Sequence, residues 1–170
     1  MKKLLVILSL LTLVVFMFNC KGTTEPKEES SEPFECKVDG KKWVPSVPDD
    51  ALEDALTVAY SSGYLSITAN HFDGSDGEIL VLSLSNLTEV GTFNLGSFGS
   101  HCWAEIIRQV GTTVEDFSTD DSHTGTVEIT KFDTNKKKVE GTFSFTAKSA
   151  TGDNTIQVTN GSFSLTYTAV

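Results

Sequence analysis

Apolar and polar residues alternate with a period of two along most of the chain after residue 33. Every second residue of 34–38 is Phe, Cys or Val, and every second residue of 80–84 is Leu. Such alternation is typical of strands that bury one face. The strands predicted most clearly lie at 34–38, 56–60, 64–69, 78–86, 91–95, 126–131, 139–147 and 155–167. With about nine short strands and no helical period, we expect an all-β fold, a single antiparallel β-sandwich with an open barrel as the alternative.

Short segments between the strands carry turn and helix-start residues. Asp39-Gly40 is typical of a two-residue hairpin turn. Residues 48–54 hold Asp50 and Glu53 at the spacing of a capping box, which predicts a single helical turn.

The last predicted strand changes its apolar face partway along. Ile156 and Val158 share one parity, whereas Phe163 and Leu165 have the other. A strand cannot switch faces without an extra residue, so we expect a β-bulge or tight bend at 159–161.

The N-terminal residues have the pattern of an export signal. Lys2 and Lys3 precede an apolar run over residues 4–18 that only Ser9 and Thr12 interrupt. The run is shorter than the roughly 20 residues that a transmembrane helix needs, and the lysines provide the positive start of a signal peptide. We predict a signal peptide over residues 1–19, with an uncleaved membrane anchor as the alternative.

Residues 17–20, Met-Phe-Asn-Cys, resemble a lipobox in which Asn19 replaces the usual glycine, alanine or serine. Cleavage before Cys20 would leave that cysteine for acylation, and several acyl chains are enough for stable attachment to a bilayer. Residues 20–33 are rich in Glu, Ser, Thr, Lys and Pro, which predicts a disordered tether. The expected product is an exported lipoprotein held on the outer membrane through Cys20, at its periplasmic face or at the cell surface.

The charge balance excludes some classes of partner. Residues 1–19 contain two of the 13 Lys and Arg residues and none of the 23 Asp and Glu, which leaves 11 against 23 and a formal charge of −12. An acidic surface of this kind argues against nucleic acid and against anionic lipid headgroups. Residues 34–170 are enough for one domain with a core and too few for two, so we assign them to one all-β domain.

The chain has three cysteines, and Cys20 is assigned to lipid. Cys36 and Cys102 then remain as a pair in an oxidising compartment. Each shares its strand face with apolar residues, so facing strands of a sandwich could bring the two sulfurs within bonding distance. A disulfide between them is our hypothesis, and two separate buried thiols are the alternative.

A Gly-rich loop clusters the carboxylates of Asp73, Asp76 and Glu78, and oxygen ligands of this kind suit Ca²⁺. The loop lacks the alternating ligand spacing of an EF-hand, so a solvated hairpin turn is the preferred interpretation. We predict no metal and no other cofactor.

The three histidines are isolated from one another and from any nucleophile motif. A hydrolase would therefore need a site assembled in space, where a histidine meets carboxylates or a hydroxyl. The candidate pairs for such a site are His71 with Asp73 and His123 with Asp121. His101 is expected on the surface.

Four aromatic residues could stack on a sugar ring, namely Trp43, Trp103, Tyr60 and Tyr64. The alternative for each of them is a place in the core. Trp103 differs because its parity opposes that of Ala104 in the same strand. Trp103 and Trp43 are the candidate ligand contacts.

Five strand-and-turn motifs together resemble a family of uncharacterised lipoproteins from Bacteroidota. They are VDGKKW at 38–43, GTFNLG at 91–96, GTVEITKFD at 125–133, GTFSFTA at 141–147 and IQVTNGSF at 156–163. The resemblance implies a location and an all-β architecture, and it implies no activity. The sequence favours a non-enzymatic binding or structural module of the bacterial envelope, whose partner is a protein, a glycan or a small ligand. An envelope hydrolase is the alternative.

Overall fold

The computed structural model describes residues 33–170, and all of its regular elements are β-strands. The predicted signal peptide, the lipidation site Cys20 and the tether up to residue 32 lie outside the described residues. The strands are Phe34–Val38 (β1), Lys41–Trp43 (β2), Leu56–Ser61 (β3), Tyr64–Asp73 (β4), Asp76–Leu84 (β5), Gly91–Leu95 (β6), Cys102–Val110 (β7), Thr113–Ser118 (β8), Gly125–Asp133 (β9), Lys138–Ser149 (β10), Thr155–Thr166 (β11) and Thr168–Ala169 (β12). Residues 33–170 contain no helix that is long and apolar enough to cross a membrane.

The twelve strands form one curled, open sheet, so the all-β prediction is confirmed. Its hydrogen-bonded order is β12-β3-β4-β5-β7-β8-β10-β11-β1-β2, with β9 pairing β10 and β6 pairing β9. The strand pairs are antiparallel except for β12 and β3, which run parallel. Because one continuous sheet curls around the core, the architecture matches the open barrel better than two separate layers.

The core lies on the inner face of the sheet and follows the period-two pattern. In β4 the inward Leu65, Ile67 and Ala69 are buried, and Leu82 of β5 lies directly opposite Ile67. Apolar area removed from water in this way stabilises the fold by about 25 cal/mol per Å².

The Asp39-Gly40 turn between β1 and β2 has the geometry that the sequence predicts. Val38 pairs with Lys41, which leaves a loop of two residues. Asp39 has a φ of 50° and Gly40 a φ of 78°, and a type I′ turn requires positive φ at both positions.

The predicted bulge in β11 is also present. Gly161 pairs with Phe143 and Val158 pairs with Phe145, so two residues of β11 lie opposite one residue of β10. Asn160, inside the bulge, has a φ of 54°. The extra residue switches the inward parity of β11, as the sequence requires.

Residues 48–54 do not form the predicted helical turn. The Ala51 N–H donates to the Pro48 carbonyl at 3.0 Å, which closes a single turn that does not continue. Leu52 is fully exposed, and a helical turn without an apolar face to bury cannot offset its nucleation cost.

The predicted disulfide is not formed, because Cys36 and Cys102 are free thiols. Cys36 lies close enough to Glu78 for that carboxylate to raise its pKa. Cys102 pairs with Leu84, six residues further along β5, which corresponds to about 20 Å at the rise of a strand. The two sulfurs therefore lie towards opposite ends of the core, although both strands face it. A disulfide requires Cα atoms within about 7 Å.

Candidate functional site

Inward-facing positions change from apolar to charged residues at one end of the sheet. In β4 the inward series continues into His71 and Asp73, and β5 begins with Asp76 and Glu78 on the same face. In the strand register His71 lies opposite Glu78, and Glu78 lies opposite Arg108 of β7. Three neighbouring strands thus present a row of ionisable side chains at the end of the core.

These side chains and the β1–β2 hairpin line a cleft of about 410 Å³. The hairpin contributes Val38, Asp39, Lys41, Lys42 and Trp43 to its walls. The cleft carries charges of both signs above an aromatic floor. We call it the hairpin cleft.

Arg108 joins the two sides of the hairpin cleft. Its Nε donates to Glu78 Oε1 at 2.5 Å, and its Nη2 lies 3.5 Å from Asp39 Oδ2 at the hairpin tip. Its guanidinium carbon lies 5.8 Å from the centre of the Phe117 ring. A guanidinium has five N–H donors, so Arg108 keeps donors for a ligand beyond these two contacts.

Trp43 and His71 form the aromatic floor, with ring centres 5.7 Å apart. His71 Nδ1 lies 2.8 Å from the Val44 carbonyl, which can only accept, so Nδ1 carries the hydrogen. Trp43 is 5% exposed, and its buried Nε1 has no hydrogen-bond partner within residues 33–170. A buried donor without a hydrogen-bond partner costs about 1–3 kcal/mol. Such donors are rare in folded proteins.

Cys36 lies across from Trp43 in the register of β1 and β2. Its pKa is raised to about 12, first by burial and then by the carboxylates of Glu78 and Glu35. Because the thiolate is the nucleophile, a thiol with such a pKa stays inert near neutral pH.

The carboxylate loop of Asp73, Asp76 and Glu78 is the turn between β4 and β5, where Asp73 pairs with Asp76. Two of its carboxylates already have protein partners. Asp76 Oδ1 accepts from the Gly111 N–H at 2.8 Å, and Glu78 binds Arg108. Among the described residues, no group of three or more potential ligands is placed to hold a metal ion.

Of the two predicted histidine–aspartate pairs, the structure brings one together and not the other. The structure brings His71 and Asp73 to the same cleft. His123 contacts Asp120 rather than the predicted Asp121, with 2.9 Å between Nδ1 and Oδ1. Backbone N–H groups, first that of Ser122, and the His123 ring lower the pKa of Asp120.

The loop around His123 does not assemble a catalytic triad. The Ser97 hydroxyl donates to Asp121 Oδ1 at 2.8 Å, so this hydroxyl is directed at a carboxylate rather than at the His123 ring. His101 is exposed, as expected for a surface residue.

The four aromatic candidates divide between the core and the surface. Trp43 is buried, and Tyr60 packs against the core with its hydroxyl donating to the Leu87 carbonyl at 2.9 Å. Tyr64 and Trp103 lie on the outer face of the sheet. Phe98, which the sequence did not single out, packs on Trp103 with ring centres 4.5 Å apart.

Sequence reasoning missed Arg108, although a signal for it was present. Arg108 has the parity of Ala104 and Ile106, which are buried. A charged residue that continues an inward apolar series indicates the place where a core opens to solvent, and Glu78 before Leu80 carries the same signal.

A second hollow of about 810 Å³ lies over β10 and β11. Half of its lining residues are Ser, Thr or Asn, and Glu35, Lys37, Lys42 and Glu128 supply its charges. Glu35 and Lys42 form an ion pair of 3.5 Å in this lining, and Phe143 is its aromatic residue. Among the described residues no arginine lines the hollow, whereas Arg108 contacts carboxylates on both sides of the hairpin cleft. The hairpin cleft is therefore the stronger candidate.

Searches of curated proteins and of solved structures found no match to this chain. A family model described as Domain of unknown function (DUF6252) matches residues 51–165. The match includes β3 to β10 and nearly all of β11, with His71, Glu78 and Arg108 inside it and Trp43 outside it. Since the match spans more than half of the sequence, the chain belongs to the DUF6252 family of domains of unknown function.

Proposed function

We propose that this chain is an exported lipoprotein of the bacterial envelope whose all-β domain is a non-enzymatic binding module. Three sequence features support the location: the charged and apolar leader, the lipobox-like residues before Cys20, and the polar segment over residues 20–33. The resemblance to lipoproteins of Bacteroidota agrees with them. Acyl chains on Cys20 would anchor the domain in the outer membrane.

The hairpin cleft is the observation that carries the binding role. Arg108 can donate to a ligand carboxylate, and Asp39 and Asp73 can accept from a ligand amine. A ligand with both groups, such as an amino acid or a dipeptide, complements this mixed rim. The buried Trp43 N–H offers a further donor once the floor adjusts around a ligand.

Binding fits the cleft better than hydrolysis does. His71 and several carboxylates line it, but no Ser, Thr or Cys side chain does so among the described residues. Cys36 lies near it as an inert thiol. Hydrolysis through a serine, threonine or cysteine nucleophile needs that hydroxyl or thiol within hydrogen-bond reach of its base. The carboxylates that could act instead are engaged in part, since Glu78 binds Arg108 and Asp76 accepts from the Gly111 N–H.

The location is tested with Cys20→Ala in the native host. We expect the variant to leave the membrane fraction and to lose metabolic labelling with fatty acid, whereas Cys102→Ala should keep both properties. Fatty-acid labelling that persists in Cys20→Ala would refute the lipoprotein assignment.

The cleft is tested with the Trp103→Phe variant, in which Trp43 is the remaining tryptophan. Titration with free amino acids and dipeptides should change its fluorescence with saturation. Arg108→Ala and the milder Arg108→Lys should weaken the response, and Lys131→Ala, which alters an exposed ion pair with Glu140, should not. A flat emission signal for every compound would overturn the assigned ligand class.

A further inference from the structure

The outer face of β4, β5 and β7 carries aromatic side chains that solvent can reach. Trp103 of β7 lies directly opposite Ser83 of β5. The Ser83 hydroxyl donates to the Tyr64 hydroxyl at 2.9 Å, and Ser83 is fully buried beneath its neighbours. Tyr64 itself is 43% exposed. Tyr64 and Trp103 therefore lie on one face, two strands apart, which corresponds to about 10 Å.

Phe98 extends this face from the loop between β6 and β7. Phe98 is 58% exposed, and its ring packs on Trp103 at a tilt of 56°. The Phe98 N–H donates to the Thr119 carbonyl at 3.1 Å. The buried Thr119 hydroxyl in turn donates to the Gly96 carbonyl at 2.6 Å. The loop thus holds Phe98 in place, and an aromatic ring fixed in an exposed position is prepared for binding before a ligand arrives.

Polar acceptors lie beside these rings. Glu105 follows Trp103 by two residues, so both side chains point outward from β7. Glu105 lies opposite Ser118, whose hydroxyl is 3.5 Å from Glu105 Oε1. Burial and the neighbouring Asp116 raise the pKa of Glu105. Flat rings next to hydrogen-bond acceptors match the alternation of C–H faces and hydroxyl groups on a sugar chain.

The charge of the molecule selects among the partners that an aromatic face could take. A formal charge of −12 after residue 19 repels acidic polysaccharides and anionic lipid surfaces. A neutral sugar chain experiences no such repulsion. A surface that binds it offers aromatic ring faces and acceptors for the sugar hydroxyls, and needs no cationic side chains.

We infer that Trp103, Phe98 and Tyr64 form a platform on which this protein binds a neutral polysaccharide, with Glu105 accepting hydrogen bonds from sugar hydroxyls. The platform lies on the outer face of the same strands whose inner face opens into the hairpin cleft. The two sites are therefore separate, and the test of one proposal does not decide the other.

The chain provides a separate reporter for the platform because it has two tryptophans. In the Cys20→Ala protein with Trp43→Phe, Trp103 is the fluorophore that remains. It should be titrated with cellohexaose, xylohexaose, mannohexaose and dextran, and with polygalacturonate as an acidic polymer. We expect at least one neutral saccharide to shift and quench the Trp103 emission with saturation, and polygalacturonate to leave it unchanged.

Two variants then assign the effect to the platform. Phe98→Ala removes an exposed loop ring and should weaken saccharide binding by about tenfold, as loss of a stacked ring predicts. Val114→Ala removes an exposed apolar side chain that lies opposite Gln109, six residues along β7 from Trp103, and this variant should bind as the parent does. The inference is wrong if none of the neutral saccharides changes the emission, if polygalacturonate binds as well as they do, or if Phe98→Ala binds normally.

Discussion

At the scale of single residues, the two thiols of the domain show how depth controls chemistry. Cys36 is buried and has a pKa raised to about 12, whereas Cys102 is half-buried with its Sγ 3.9 Å from the Ser85 carbonyl. Alkylation requires a thiolate that the reagent can reach. Sequence patterning predicted that both side chains face inward, but it could not give their positions along the strands.

This difference predicts an order of alkylation in the Cys20→Ala protein. At pH 8, with no reductant present, iodoacetamide should add to Cys102 and leave Cys36 unmodified while the domain is folded. Unfolding in guanidinium should then expose a second thiol. Intact mass before and after unfolding measures both steps. A protein that accepts no alkyl group after unfolding would instead contain the disulfide that the structure lacks.

At the scale of elements, the bulge in β11 couples a backbone irregularity to packing. Gly161 follows Asn160 in the bulge and lies against the ring of Phe143, so that an added Cβ would come within 2.6 Å of ring atoms. The glycine is needed for space rather than for an unusual φ. The bulge therefore depends on a small residue at one position.

Replacing Gly161 by alanine should destabilise the domain by about 1–3 kcal/mol, as overpacking in a core does. Gly152, in the turn before β11, is the matched control, since the nearest atom to its added Cβ is 4.0 Å away. Gly152→Ala should leave the free energy of unfolding nearly unchanged. Urea denaturation followed by circular dichroism gives both values, and equal stabilities for the two variants would show that the β11 contact is unimportant.

The strands that sequence predicted well are those with clear alternation, and those it missed lack it. In β8, Phe117 is the buried apolar residue, whereas Val114 faces outward and Glu115 faces inward beside Arg108. The hairpin cleft was missed for a related reason. Its side chains come from β1, β2, β4, β5, β7 and the β1–β2 turn. Parity shows which face a residue takes but not which strands become neighbours.

At the scale of the whole molecule, the chain enters the domain far from the hairpin tip. The Pro33 carbonyl accepts from the Ser164 N–H at 2.9 Å, at the start of β1. The hairpin tip, with Asp39 on the rim of the cleft, lies at the other end of that strand. The length of β1 places about 17 Å between these points. Attachment through residues before Pro33 would therefore join the domain at the end of β1 that lies away from the hairpin tip.

The whole molecule should also fold without a bound cation. Glu78 is paired with Arg108 and Asp76 with the Gly111 N–H, so a Ca²⁺ ion at the β4–β5 turn would have to displace protein contacts. We expect thermal melts in EDTA and in excess CaCl₂ to superimpose when NaCl equalises the ionic strength. This control is needed because salt screens the repulsion within an acidic protein.

MgCl₂ provides the second control. A rise in melting temperature specific to Ca²⁺ would show binding to the native state. Loss of that rise in Asp73→Asn would place a calcium site at this turn and contradict the prediction.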